Sequence, residues 1–290
     1  MRTALFTLVA ILLVGFVALP EPYREVAKAV VTGPDEEALV QGVLEGGSVT
    51  AYETTYTRVL ADVLTAEGLV HYDLLSKHPD WPTVVEGIEQ FDFSTADTDA
   101  RKLAFWLNAY NVHMMNLVLD RPGRDNVLGK DLGTVFFKRP VRVAGQMLTL
   151  DQIEHDLLRE GEAAFEALRP SQFDPRIHVS LNCAAISCPR LWPEAYQADK
   201  LEAQLDKAMR EYVNSPQHFR VEDGKLIASS LLKWFAEDFD RAGMPAGDWL
   251  LAHMSEDRPQ YAELREHLRG RMAEEIDADF QYDWTVNRAG

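Results

Sequence analysis

Apolar and polar positions alternate along the chain with two periods, and each period predicts a type of element. From Ala51 the spacing is helical, with Tyr56, Leu60, Val63 and Leu64 on one stripe. GLVHYDLL then reads as a short extended piece. The strongest pattern follows Ser94-Thr95, where Leu103, Trp106, Leu107, Tyr110, Met114, Leu117 and Val118 recur at helical spacing until Arg121-Pro122-Gly123 stops them. VFFKRPVRVAGQMLTL alternates around a turn at Gly145 and predicts a strand pair. Thr149, with Gln152 three residues on, reads as a capping box that opens the helix LDQIEHDLLRE. Ile177 to Leu181 reads as a short buried strand, and KLEAQLDKAMREYV as an amphipathic helix. The Asp-Gly in HFRVEDGKLIAS marks a hairpin, and Ser230 is placed to cap LLKWFAEDF. Helices mixed with short, mostly antiparallel strands predict a single α+β domain over residues 51–290.

Composition adds the compartment. The chain has 290 residues with 47% hydrophobic and 26% charged, which is globular, and its net charge of −17 disfavours nucleic acid and anionic lipid as partners. MRTALFTLVAILLVGFVAL sets Arg2 before an uncharged run that is short for a membrane span and suits the core of a signal peptide. Ala27-Lys28-Ala29 offers a cleavage pattern, so residues 1–29 read as a signal peptide or an uncleaved anchor. An acidic, Gly-rich lead-in follows over 30–50. Either form of the leader predicts an exported protein, periplasmic or held at the outer face of a bacterial inner membrane. Contact with the membrane is then expected only through that segment, and the partner is an unidentified envelope substrate or protein.

Three places break the binary pattern, and such breaks are where function or strain collects. Asn108 and Asn111 in FWLNAYN share one face of the long helix among apolar neighbours. They either tie down a neighbouring loop or orient a substrate. In IEHDLLR, Glu154 falls within the buried stripe of Leu150, Ile153, Leu157 and Leu158, where a carboxylate must be paired, hydrogen-bonded or protonated. Arg176 is an available cation for a Glu–Arg strut, while His155 lies one step round, near Asp151 and Arg159. The third break, RIHVSLNCAAISCPRLWP, holds both cysteines, Cys183 and Cys188, and His178. Strict alternation puts Cys183 opposite His178, so the two meet only if the chain turns at Asn182.

Taken together, FWLNAYN, LTLDQIEHDLLR, DPRIHVSLNCAAISCPRL, SSLLKWFAEDF and YDWTVN resemble, in order, the motifs of the DUF547 family, a domain of unknown function. The resemblance runs from about Ala51 to Asn287. It places Arg176, His178, Cys183, Cys188 and Pro189 on family positions, with Asn108, Tyr110, Asn111, Glu154, His155 and Arg159 on the earlier ones. Val179 and Ser180 stand where the family usually has Phe and Ala. Plant relatives tend to carry serine at the second cysteine position, which implies that Cys183 matters more than the pair.

Three readings of the candidate residues follow. A thiol-dependent hydrolase or acyltransferase would use Cys183 as nucleophile, His178 as base and Glu154 as a further member, acting on a peptide, amide or ester. The order of helix and strand also resembles papain- and transglutaminase-like layouts, though there the cysteine opens the helix. In that reading Asn108, Tyr110, Asn111, His155, Arg159, Arg176 and Cys188 orient or bind. A Cys₂His₂ metal site is the second reading, with a spacing at the edge of the usual pattern. The third is a non-enzymatic envelope binding or scaffold module with structural cysteines. No cofactor is expected, since the chain carries no Gly-rich phosphate loop, GxSxG elbow or HExxH.

Overall fold

The computed structural model describes residues 52–159, 161 and 165–290. The leader and the acidic lead-in lie outside the described residues. Helix α1 (Tyr52–Val63) buries Tyr52, Tyr56, Val59, Leu60 and Val63, the predicted stripe continued one turn back. GLVHYDLL is extended only at its start. Val70 bridges Leu64 and Arg288, and a turn of helix α2 (Tyr72–Leu75) follows before α3 (Trp81–Glu89).

Helix α4 (Asp99–Leu119) is the axis of the fold. Its cap is Thr98, whose hydroxyl accepts from the Arg101 N–H, so the helix begins later than expected, and Phe93–Thr95 forms a separate 3₁₀ turn. Leu103 through Met115 are all buried, which makes α4 a helix wrapped on every side rather than an amphipathic one. Trp106 is fully enclosed and its indole N–H donates to the Leu168 carbonyl at 2.8 Å.

After a short helix α5 (Thr134–Phe137), strands β1 (Val141–Val143) and β2 (Gln146–Leu148) pair antiparallel around Ala144 and Gly145. Both turn residues have positive φ, the requirement of a tight hairpin turn. The capping box at Thr149 and Gln152 then opens α6 (Leu150–Gln152). Further on, α7 (Leu201–Asn214) precedes β3 (Phe219–Glu222) and β4 (Lys225–Ser229), joined at Asp223-Gly224 as predicted. Ser229 rather than Ser230 caps the next segment: the last residue of β4, it accepts from the Leu231 N–H through its hydroxyl. That segment is broken at Phe235 into α8 (Ser230–Trp234) and α9 (Ala236–Phe239). After α10 (Ala246–His253) and α11 (Tyr261–Leu268), β5 (Asp279–Gln281) adds to β4 in parallel. The fold is thus α+β, with helices on short and mostly antiparallel strands. Among the described residues no helix is long and apolar enough to cross a membrane.

Two apolar cores form, one around α4 and one around the β3–β4 hairpin with α7, α10 and α11. Residues 175–181 lie on the seam, with Ile177 and Leu181 in the first core and Val179 in the second. Tyr282 packs against both. The expected strand at 177–181 is instead a 3₁₀ turn, Pro175–Val179. Asp174 caps it by accepting from the Arg176 N–H, and Pro175 supplies the preset φ of a first helical residue.

Candidate functional site

The two amides of α4 face the seam and are fully used. Asn108 accepts from the Tyr196 N–H at 2.9 Å and donates to the Tyr196 carbonyl at 2.8 Å. Asn111 donates to the Ser180 carbonyl at 3.0 Å and accepts from the Asn182 N–H at 2.8 Å. Each amide therefore imitates a strand neighbour for an irregular loop, and Asn111 holds the loop that carries the cysteines. Both residues are buried.

Beyond Gln152 the helix widens into a π turn, Ile153–Leu158, in which the Arg159 N–H reaches back five residues to the Glu154 carbonyl at 3.0 Å. This extra residue per turn brings Glu154 and His155 together onto the wall of a cleft of about 290 Å³, with Lys138, Asp151 and Phe235. Glu154 is half-buried there. Burial drives its pKa up, the Arg159 charge and a Tyr110 hydrogen bond oppose this, and the outcome is about 7. The expected partner Arg176 is elsewhere: it ion-pairs with Asp174, Glu202 and Asp206, 15% exposed, on the far side of the 3₁₀ turn. Its single charge is already shared among three carboxylates and is not left for Glu154.

Arg159 is the residue that organises this end. Its Nε donates to Asp238 Oδ2 at 2.5 Å, one terminal nitrogen donates to His155 Nδ1 at 2.9 Å, and the guanidinium lies 5.3 Å over the Phe235 ring. A guanidinium offers only donors, so Nδ1 of His155 must be the acceptor and its proton sits on Nε2. Burial lowers the His155 pKa, which keeps this tautomer neutral. Its Nε2–H looks towards Asp151, 3.8 Å away, and the ring is 40% exposed.

His178 takes a different environment. Its side chain is 0% exposed, its Nε2 lies 2.8 Å from Asp238 Oδ2, and its ring stacks on Phe235 at 3.8 Å. Nδ1 has no partner among the described residues. An imidazolium would strand an N–H donor there, whereas the neutral ring strands only a lone pair. Burial accordingly lowers the His178 pKa. For Asp238, burial works upward, but hydrogen bonds from His178 and Arg159 outweigh it and bring the carboxyl down to about 2.

Cys183 and Cys188 are joined in a disulfide. The chain does turn just after Asn182, at Ala184, whose φ is 60°. Even so, no hydrogen bond links His178 to Cys183 among the described residues. The neighbour of the sulfurs is Tyr282, whose hydroxyl lies 3.1 Å from Cys183 Sγ and 3.2 Å from Cys188 Sγ. In this oxidised form Cys183 carries no thiolate, and a Cys183–His178 pair is not assembled. The proposed Cys₂His₂ set is likewise dispersed: the sulfurs bind each other, His178 binds Asp238 and His155 binds Arg159. Among the described residues no group of three or more His, Cys, Asp or Glu is placed to hold a metal.

The candidates thus divide. Tyr110, Glu154, His155 and Arg159 gather around the cleft and the strut behind it. His178 supports that strut from inside, and Asn108, Asn111 and Arg176 fasten backbone or surface. Sequence reasoning passed over Asp238, Phe235 and Tyr282, although each lies in a quoted motif, SSLLKWFAEDF or YDWTVN. Their partners lie tens of residues away, beyond the reach of any local period.

A family model described as "Protein of unknown function, DUF547" matches residues 94–213. It spans α4, the π turn and the cysteine loop, while Asp238 and Tyr282 come from outside the matched segment. No curated protein and no solved structure matches the chain. What residues 94–213 are similar to is therefore the DUF547 family, described as a protein of unknown function.

Proposed function

We propose that this protein is an exported hydrolase or acyltransferase that works by acid–base chemistry at the Glu154 cleft, on a peptide, amide or ester of the cell envelope. The observation that carries the reading is a half-buried carboxyl, poised at about 7, on a cleft wall beside a histidine whose Nε2–H is fixed by Arg159. A general acid–base group performs best with its pKa near the working pH, and such a group contributes about 10²–10⁴-fold. As carboxylate, Glu154 takes a proton from water or an acceptor hydroxyl as that oxygen attacks the carbonyl carbon. The His155 Nε2–H donates to the carbonyl oxygen as it gains charge. Protonated Glu154 then returns the proton to the departing amine or alcohol.

Export rests on the leader and agrees with the disulfide, which persists in oxidising compartments. The thiol-dependent version of the same reaction would need Cys183 reduced, and it is favoured by the Tyr282 contact. A non-enzymatic binding or scaffold module is favoured by the two amide clamps and the disulfide, both of which are structural devices. Hydrolysis of a panel of chromogenic esters and peptide amides separates the three. The acid–base reading expects Glu154→Gln to lose about 10²-fold or more while Cys183→Ser stays active. The reverse pattern supports the thiol, and equal activity of both variants with wild type removes the Glu154 cleft from the chemistry.

A further inference from the structure

The loop between the cysteines is held by bonds that do not depend on the disulfide. The Asn182 side chain accepts from the Ala184 N–H at 2.9 Å and donates to the Pro189 carbonyl at 2.8 Å. The tail segment clasps it as well: Asn287 N–H to the Ala184 carbonyl at 2.8 Å, Ile186 N–H to Thr285 at 2.7 Å and Ser187 N–H to Asp283 at 3.1 Å. A disulfide that only stapled this loop would be redundant.

Its two sulfurs are also unlike. Cys188 is 7% exposed and its Sγ accepts from the Cys183 N–H at 2.8 Å. The Tyr282 hydroxyl lies 3.1 Å from Cys183 Sγ and 3.2 Å from Cys188 Sγ, and since a disulfide carries no proton of its own to give, it is the donor and can turn to either sulfur. Cys183 is the more exposed of the pair. Ala184, beside it, holds a left-handed conformation at φ 60°, which costs a non-glycine residue about 1 kcal/mol or more. Cys188 borders a second cleft of about 470 Å³, in which His218 and Gln217 also stand.

We propose that Cys183–Cys188 is an exchange-active disulfide that oxidises a peptide or protein dithiol. The thiolate of the substrate attacks Cys183 Sγ, the Cys183–Cys188 bond breaks, and its electron pair leaves on Cys188. Hydrogen bonds from the Cys183 N–H and the Tyr282 O–H stabilise that leaving thiolate, which is the condition for fast exchange. The second substrate thiolate then attacks its own sulfur in the mixed disulfide and releases Cys183. In sum the substrate dithiol gives up two electrons and two protons and becomes a disulfide, while Cys183 and Cys188 become thiols. The fold survives because the Asn182 and tail hydrogen bonds still hold the loop. This activity needs neither Glu154 nor its cleft.

The test uses the full folded chain, with dithiothreitol as the dithiol probe and glutathione as the monothiol probe. Dithiothreitol should open the disulfide at neutral pH without denaturant and without loss of the near-ultraviolet circular dichroism. The glutathione adduct should map to Cys183. Once reduced, Cys188 should alkylate with a midpoint below the free-thiol value of about 8.5. Tyr282→Phe, which keeps the ring, should slow reduction by about tenfold and raise that midpoint. Reduction that requires unfolding, an adduct on Cys188, or a folded Tyr282→Phe that reacts at the wild-type rate would overturn the proposal.

Discussion

Two polar intrusions into apolar surroundings, the amides of α4 and the acid–imidazole pair of the π turn, were alike in the sequence and are unlike in the molecule. Asn108 and Asn111 spend both ends of their amides on loop backbone and are sealed from solvent. Glu154 and His155 are each held from behind, by Tyr110 and Arg159, and keep their remaining capacity towards a cleft. The difference is one of satisfaction. A buried polar group whose hydrogen bonds close is a strut, whereas one fixed from behind and open in front can act on a ligand.

The largest effect that would sharpen this contrast lies in the strut behind the cleft. Asp238→Ala leaves the Arg159 charge and His178 without their shared carboxylate, and we expect a loss of about 3–5 kcal/mol in urea unfolding. The Asp238 contribution has a defined pH window. Its folded pKa, about 2, lies below the ordinary 3.8, so the stabilisation is full above 3.8 and fades as pH falls through 2. His178 adds to acid sensitivity in the same direction, since its lowered pKa favours the neutral ring and that benefit is lost as pH falls below 6.5.

Next comes Asn111→Ala, which orphans the Ser180 carbonyl and the Asn182 N–H and should cost roughly 2–6 kcal/mol at about 1–3 kcal/mol per buried group, measured in the same way. Glu154→Gln should move the other way. A carboxyl raised from 4.5 to about 7 binds its proton more tightly in the folded state, so stability falls as pH rises between those values. The variant should therefore gain about 1–3 kcal/mol over wild type at pH 8 and little at pH 5. A destabilised Glu154→Gln at pH 8 would break the contrast, since it would make Glu154 a strut like the asparagines. The smallest effect belongs to Tyr110→Phe. Tyr110 holds the Glu154 pKa down, so its removal should raise the carboxyl's midpoint while the unfolding profile at pH 5 barely changes.

How much of this could be read from the chain follows from the range of each interaction. Helix α4, the Thr149–Gln152 capping box and the Asp223-Gly224 hairpin are set by residues within one or two turns of each other, and they appear where the pattern places them. The segment at Ile177–Leu181 reads as a strand but folds as a 3₁₀ turn, although Asp174-Pro175 is a helix-start signal, because an apolar run that short suits either element. The π turn was illegible in another way. One extra residue shifts Glu154 off the stripe that a regular helix would give it, and no periodicity announces the insertion. Asp238 and Tyr282 were missed because their roles depend on Arg159, His178 and the cysteines, distant in sequence and brought close only by the two cores meeting.

The most direct measurement of the central claim is a carbon-13 titration of the glutamate carboxyl groups, with Glu154→Gln identifying the resonance. A midpoint near 7 for Glu154, rising in Tyr110→Phe, is the predicted result. A midpoint at the ordinary 4.5 would contradict the account, since the carboxylate would then be an ordinary weak base and not one matched to neutral pH.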